Sequence, residues 1–123
     1  MQNRLNKIQL GSWGEEVAKN FLEKKGYRYF KKNVRIGRGE LDLIFGDKNV
    51  MVIVEVKTKS GRNYGDPGEM VDMKKIRQIE FLVETMLRRS GRENIVWRLD
   101  VVGVVGDGIR VKEIMHYENV TMW

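Results

Sequence analysis

The sequence predicts a mixed α/β domain: a small sheet with helices packed on it, in the order α-β-β-β-α-β-β. Two stretches repeat apolar residues at helical spacing, one near the start and one in the second half of the chain. Between and after them lie short runs rich in Val, Ile, Leu and Phe. These runs are separated by Gly, Asn and Asp clusters that read as turns. The length, 123 residues, suits one domain with one core spanning residues 1–123.

The first helix is expected over 13–25 (WGEEVAKNFLEKK), where Trp13, Val17, Ala18, Phe21 and Leu22 share one side. Ser12 is placed to cap it, and Glu15, three residues on, completes a capping-box pattern. Gly26 is a natural terminator after Lys24 and Lys25. A strand follows over 28–34, then two more over 40–45 and 50–58. Gly46-Asp47-Lys48-Asn49 joins the last two as a hairpin loop. Residues 59–69 (KSGRNYGDPGE) hold three glycines and the only proline, so they read as a loop. The second helix is expected over 68–89. Its apolar stripe is Val71, Ile79, Leu82, Val83, Met86 and Leu87, and Lys74, Lys75, Arg77, Arg88 and Arg89 supply its charge. Two strands, 96–105 and 109–116, flank a turn at Gly106-Asp107-Gly108.

The chain has no cysteine, which excludes a disulfide framework and thiolate metal sites. No apolar run approaches the roughly 18 residues a membrane span needs. The start, MQNRLNKIQLGSW, lacks the apolar centre of a signal peptide. The expectation is a soluble cytoplasmic protein with no membrane partner. Its 23 Lys and Arg against 17 Asp and Glu leave a formal charge of +6, which points to an anionic partner, nucleic acid first.

Two residues break the strand pattern. The apolar run Val50–Val54 leads without a turn into Glu55-Val56-Lys57, and Asp42 interrupts Leu41-Asp42-Leu43-Ile44-Phe45. Alternation puts Met51, Ile53, Glu55 and Lys57 on one face of the third strand. It puts Glu40, Asp42 and Ile44 on one face of the second, with Leu41, Leu43 and Phe45 on the other. Pairing Phe45 with Val50 sets Asp42 opposite Ile53 and diagonal to Glu55, roughly 7–8 Å away. A single bulge would set it directly opposite. A buried carboxylate costs several kcal/mol to desolvate alone, and a hard divalent cation relieves both that cost and the repulsion. Mg²⁺ is typically held by one or two carboxylates, with water and phosphate oxygens completing its shell. Lys57, two residues past Glu55, is placed to stabilise phosphoryl charge or orient a water. Glu15 lies at the edge of the first helix's packed side and is either a third carboxylate of the site, a member of the capping box, or both.

Asp42, a twelve-residue spacer and Glu55-Val56-Lys57 resemble the signature of the PD-(D/E)XK nuclease superfamily in its D…ExK form. The likeness extends through GSWGEEVAKNFLEKKGY, KKNVRIGRGELDLIF, VIVEVKTK, NYGDPGEMV with the lysines after it, and RLDVV. Over residues 11–105 the chain resembles the YraN-like family of bacterial endonuclease-like proteins. That resemblance implies a restriction-endonuclease-like fold related to archaeal Holliday junction resolvases. It implies Glu15, Asp42, Glu55 and Lys57 as the catalytic positions. Leu41 stands where the superfamily's motif has proline, and Lys59 where the family usually has arginine.

The expected function is a Mg²⁺- or Mn²⁺-dependent endonuclease acting on DNA, with branched or flapped DNA in view. Asp42 and Glu55 hold the metal with Glu15 and the Val56 carbonyl. Lys59, Arg62 and Tyr64 of the loop and Lys74 and Lys75 of the second helix contact nucleic acid. The rival expectation is a non-catalytic nucleic-acid-binding module of DNA repair or processing. Arg98 and Asp100 share a strand face, either beside the metal or as an ion pair tying the sheet to the second helix. His116 is expected to be no ligand. The apolar tail Val120-Thr121-Met122-Trp123 either docks on the body or packs in a homodimer.

Overall fold

A computed structural model describes residues 5–60 and 72–121. The elements are α1 (Lys7–Lys24), β1 (Arg28–Ile36), β2 (Gly39–Asp47), β3 (Val50–Lys59), α2 (Met73–Arg89), β4 (Trp97–Gly106) and β5 (Val111–Tyr117). The predicted order holds throughout. All five strands form one sheet in sequential order. Only β3 and β4 run parallel, with α2 as the crossover that parallel neighbours require.

Helix α1 begins six residues earlier than the apolar spacing indicates. Its cap is Asn6, whose side chain accepts the Gln9 N–H at 2.8 Å, while the Gln9 side chain accepts the Asn6 N–H at 3.0 Å. Ser12 and Glu15 therefore lie inside the helix, and neither belongs to a capping box. The first turn was hidden because it is solvated: Ile8 is 81% exposed. The C-terminus follows expectation. Gly26 takes φ 97°, and the Tyr27 N–H bonds back to the Leu22 carbonyl at 3.1 Å.

Helix α2 is capped by Asp72, which accepts the Lys75 N–H at 2.9 Å. The earlier start expected at Gly68, and the stripe position Val71, fall outside the described residues. Strand β5 starts two residues later than expected, because the Asp107 carboxylate accepts the N–H groups of Ile109 and Arg110 and holds both in the turn.

Each face of the sheet has its own core. Ala18 and Leu22 of α1 pack with Leu43, Phe45, Val52, Val54, Val102 and Val104. On the opposite face Ile76, Ile79, Leu82 and Val83 of α2 pack with Ile44, Ile53, Leu99 and Val101. Central strands buried on both faces read as unbroken apolar runs, as Val50–Val54 does. Burying one Leu or Ile side chain stabilises the fold by about 1.5–3 kcal/mol, so the two layers lock the sheet from both sides. Val120 joins the α2-side core and donates its N–H to the Leu99 carbonyl at 2.8 Å. The described part of the tail therefore docks on the body; Met122 and Trp123 lie outside the described residues.

The β2–β3 register differs from the expected one. Asp47 pairs with Val50 and Phe45 with Val52, so the hairpin loop is only Lys48-Asn49. Lys48 takes φ 56° to close it. Relative to a Phe45–Val50 pairing this moves β3 by two residues. The diagonal placement of Asp42 is thereby corrected: continued one step, this register leads to Asp42 and Glu55 side by side, and their carboxyls interact directly.

Candidate active site

Regular β2–β3 pairing stops at Leu43–Val54, one step short of Asp42 and Glu55. There the Asp42 side chain replaces a backbone acceptor: its Oδ2 takes the Val56 N–H at 2.9 Å. The expected alternation of β2 also fails at this point. Leu43 and Phe45 pack on the α1 side, but Leu41 packs with Ile44 on the α2 side. The slip falls at Asp42, between the pairs Lys32–Leu43 and Val34–Leu41, where Asn33 of β1 takes φ 51°. Glu40 is consequently not beside Glu55. It accepts a hydrogen bond from Asn33 Nδ2 at 3.0 Å, and the same amide donates to Glu15 Oε1 at 3.1 Å.

Glu15 reaches the sheet because its neighbour is Gly14. A side chain at Gly14 would overlap Thr58 of β3, so α1 can cross the strand closely only with glycine there. Burial pushes the Glu15 carboxyl above its ordinary range; the Asn33 hydrogen bond opposes this, and the nearby charges of Asp42 and Glu40 add to it.

Glu55 is buried, with 4% of its surface exposed. Burial first, and then the Asp42 charge, push its carboxyl up to about 8. Burial also raises the Asp42 carboxyl, against the Val56 N–H and a hydrogen bond from Glu55 that favour its ionised form. Both carboxyls are thus pushed toward the neutral form by burial, Glu55 further by the Asp42 charge. The Nζ atoms of Lys57 and Lys75 each lie 3.8 Å from Glu55 Oε1. That is beyond hydrogen-bond length, so both ammoniums act on Glu55 through space.

The expected residues divide into three groups. Asp42, Glu55 and Lys57 come together, with the Val56 N–H as their anchor, and Glu15 approaches through Asn33. Lys75, expected only as a nucleic-acid contact, stands at Glu55 itself. Lys74 and Lys59 are exposed, Lys59 at the end of β3. Arg62 and Tyr64 lie outside the described residues. Asn33 was missed; its sole signal was an asparagine, a residue tolerant of positive φ, opposite a strand irregularity. Among the described residues no three acidic or histidine side chains converge tightly enough to enclose an ion. The donor chemistry nonetheless fits a hard divalent cation. A buried carboxylate, Glu55, beside a half-buried one, Asp42, matches the one or two that Mg²⁺ usually takes.

Arg98 and Asp100 belong elsewhere. Asp100 is fully buried on β4 and accepts from Arg98 Nε at 3.0 Å, from the Asn119 N–H at 2.9 Å and from His116 Nε2 at 2.8 Å. Arg98 also donates to the Tyr27 hydroxyl at 2.7 Å, and Lys25 Nζ meets His116 Nδ1 at 2.8 Å. The pair therefore ties the sheet to the C-terminal end of α1 and to β5. The expected tie to α2 is corrected. His116 is a hydrogen-bonded partner of a carboxylate.

Fold and site together define a small mixed α/β domain compatible with a nuclease-like fold, with paired carboxylates and lysines where two central strands part. The profile of the uncharacterised protein family UPF0102 matches residues 14–104, and the chain belongs to that family. The UPF0102 protein of Symbiobacterium thermophilum is 47% identical over 96 residues, 78% of this chain and 81% of that one. The UPF0102 protein of Cytophaga hutchinsonii is 38% identical over 115 residues, 94% of this chain and 97% of that one. Among solved structures, Pyrococcus furiosus SfsA in complex with Ca²⁺ aligns at a TM-score of 0.37 and 17% identity. That alignment covers 92% of this chain and 63% of SfsA, and at such a score it carries no argument. No helix among the described residues is long and apolar enough to cross a membrane.

Proposed function

We propose that the protein is a divalent-metal-dependent deoxyribonuclease that hydrolyses DNA phosphodiester bonds. The observation that supports this reading best is buried Glu55 beside half-buried Asp42, with two ammoniums 3.8 Å from Glu55. A binding module gains nothing from buried carboxylates that repel phosphate. A hydrolase does, because the same carboxylates hold the cation that phosphate needs.

Asp42 and Glu55 are the proposed holders of Mg²⁺ or Mn²⁺, with Glu15 and the Val56 carbonyl beside them. The bound ion would supply Lewis-acid activation of a phosphoryl oxygen. Asp42 is fixed by the Val56 N–H, so its carboxylate is oriented before substrate arrives. Lys57 is about one-third exposed at the open end of β3. In this reading its role is to orient water and to stabilise charge that grows on the phosphoryl oxygens. Lys75 adds a second fixed positive charge from the first turn of α2.

The test is a cleavage panel of linear, flapped and four-way DNA with and without Mn²⁺, alongside calorimetry of Mn²⁺ binding. The expected result is metal-dependent cutting, with a metal site that Asp42→Asn removes. Equal Mn²⁺ binding in that variant would overturn the site. Absence of cutting on every substrate would leave the non-catalytic clamp as the better reading.

A further inference from the structure

At the other end of the β2–β3 hairpin, on the α2 side of the sheet, lies an open groove of about 600 Å³. That is within the roughly 300–1,000 Å³ typical of small-molecule sites. Its floor is apolar, from Ile44, Met51 and Met86, and its cations are Arg28, Lys31, Lys48 and Arg92. Among the described residues no carboxylate lines it. One wall is Phe30, an aromatic ring 58% exposed on the edge strand β1.

Phe30 is there by construction. Strand β1 pairs Tyr29 with Phe45 and Lys31 with Ile44, so Phe30 is the extra residue of a bulge. Bulges at sheet edges re-aim side chains. The ring lies across Gly46, where a Cβ would come within 2.9 Å of Phe30 Cε2 and 3.0 Å of Arg28 Nη2. Arg28 is held in turn by the Lys48 carbonyl at 2.9 Å. A bulge that only protected an edge would carry charge at its tip. This one carries an exposed aromatic flanked by cations, the composition of a stacking platform for bases.

The edge strand links this groove to the candidate active site. Lys31, Lys32 and Arg35 are exposed along it, and none makes an ion pair within 4.0 Å among the described residues. Lys32 is close enough to Glu15 to act on its charge, and Asn33 bonds Glu15 directly. From Arg28 to Asn33 is five residues, about 17 Å at roughly 3.3 Å each. That spans about five stacked nucleotides at 3.4 Å per step.

We propose that the β1 edge and the Phe30 groove bind single-stranded DNA, with an unpaired base stacked on Phe30 and phosphates on the β1 lysines. The inference rests on the deoxyribonuclease reading for its strand path. It defines the substrate class as DNA with an unpaired flank.

The test is fluorescence anisotropy of a labelled ten-nucleotide thymidine strand in EDTA, so that neither metal nor cutting enters. Phe30→Ala should weaken binding about 5- to 150-fold, the range for losing one stacked base. A strand of the same length carrying abasic sites should bind wild type and variant alike. Gly46→Ala, which displaces the ring without removing it, should reproduce the loss. Lys31→Gln should flatten the salt dependence by about 0.7 in slope, one single-strand phosphate contact. Unchanged affinity in Phe30→Ala, or an equal loss on abasic strand or blunt duplex, overturns the proposal. A protein that cuts DNA yet shows no Phe30 effect loses this groove alone. One that cuts nothing but shows the effect keeps the groove and loses the nuclease.

Discussion

Two buried carboxylates sit on neighbouring central strands, Glu55 on β3 and Asp100 on β4, and the fold treats them oppositely. Burial alone would raise both. For Asp100, hydrogen bonds from His116, Arg98 and the Asn119 N–H outweigh burial and hold the carboxyl below its ordinary value. For Glu55, the Lys75 and Lys57 charges oppose burial and the Asp42 charge but do not overcome them, and the carboxyl rises to about 8. The Asp100 network is complete and therefore structural: every charge in it is bonded within the protein. The Glu55 site has no such set of direct bonds: its two nearest ammoniums stand 3.8 Å away and its carboxyl stays raised.

The largest effect should come from breaking the finished network. Asp100→Asn removes the carboxylate that, among the described residues, faces both Arg98 and His116. Losing one partner of a buried ion pair costs about 3–5 kcal/mol, because the remaining charge stays buried. Denaturant unfolding should show that loss, with Mn²⁺ binding at Asp42 and Glu55 retained once folded. Lys57→Ala should give the opposite profile. Loss of one preorganised charge at a reaction centre costs roughly 2.7–4 kcal/mol in the barrier, or ~10²–10³ in rate. Lys57 stands at an open strand end, so unfolding should be near wild type while cleavage falls at least about a hundredfold. A Lys57→Ala enzyme cutting at the wild-type rate would remove Lys57 from catalysis.

Acid and base should pull the two carboxylates apart next. Glu55 has a folded value above its unfolded one, so its contribution is complete below pH 4.5 and is lost as pH rises through about 8. Asp100 has a folded value below 3.8, so its contribution is present above that pH and is lost as pH falls through the lower value. Metal-free protein should therefore lose on the order of a few kcal/mol between pH 5 and 9 through Glu55. Glu55→Gln should flatten that slope, and Mg²⁺ should oppose it by binding the ionised form. Thermal melts across this range, with EDTA or Mg²⁺, check the sign; a stability that rises with pH in EDTA and is insensitive to Glu55→Gln would contradict it.

The fold was legible because its apolar runs are long and its turns carry glycine and asparagine. Every element and its order follow from them. The start of α1 did not, because Asn6 and Gln9 cap a turn with no buried stripe, while Ser12 and Glu15 imitate a cap downstream. The hairpin register slipped by two because Gly46 and Asp47 read as loop, yet both pair with β3. Asp42 and Glu55 were visible as apolar-pattern violations, and alternation brought them together in spite of the wrong register. The slip of Leu41 to the α2 side was invisible, since it depends on Asn33 at positive φ in another strand. The role of His116 was equally hidden: a lone histidine sixteen residues from Asp100 gives no sign in sequence of the bond between them.

The smallest and sharpest prediction concerns Lys75. It stands the same 3.8 Å from Glu55 as Lys57, but on a helix rather than on the strand. Its side chain is 36% exposed, so solvent screens it, and its coupling to Glu55 should be under about 1 kcal/mol. In metal-free protein Lys75→Gln withdraws a charge that favours ionised Glu55, so the Glu55 titration should move further upward. At a pH below that titration the variant should bind Mn²⁺ more weakly, because the proton competes better. Above it the order should reverse, because the lost ammonium no longer repels the ion. The two regimes are read by carboxyl-carbon NMR of Glu55 and by Mn²⁺ calorimetry on either side of its midpoint. A Lys75→Gln protein whose Glu55 titrates unchanged, with the same Mn²⁺ affinity in both regimes, would place Lys75 outside the site and leave Lys57 as its working cation.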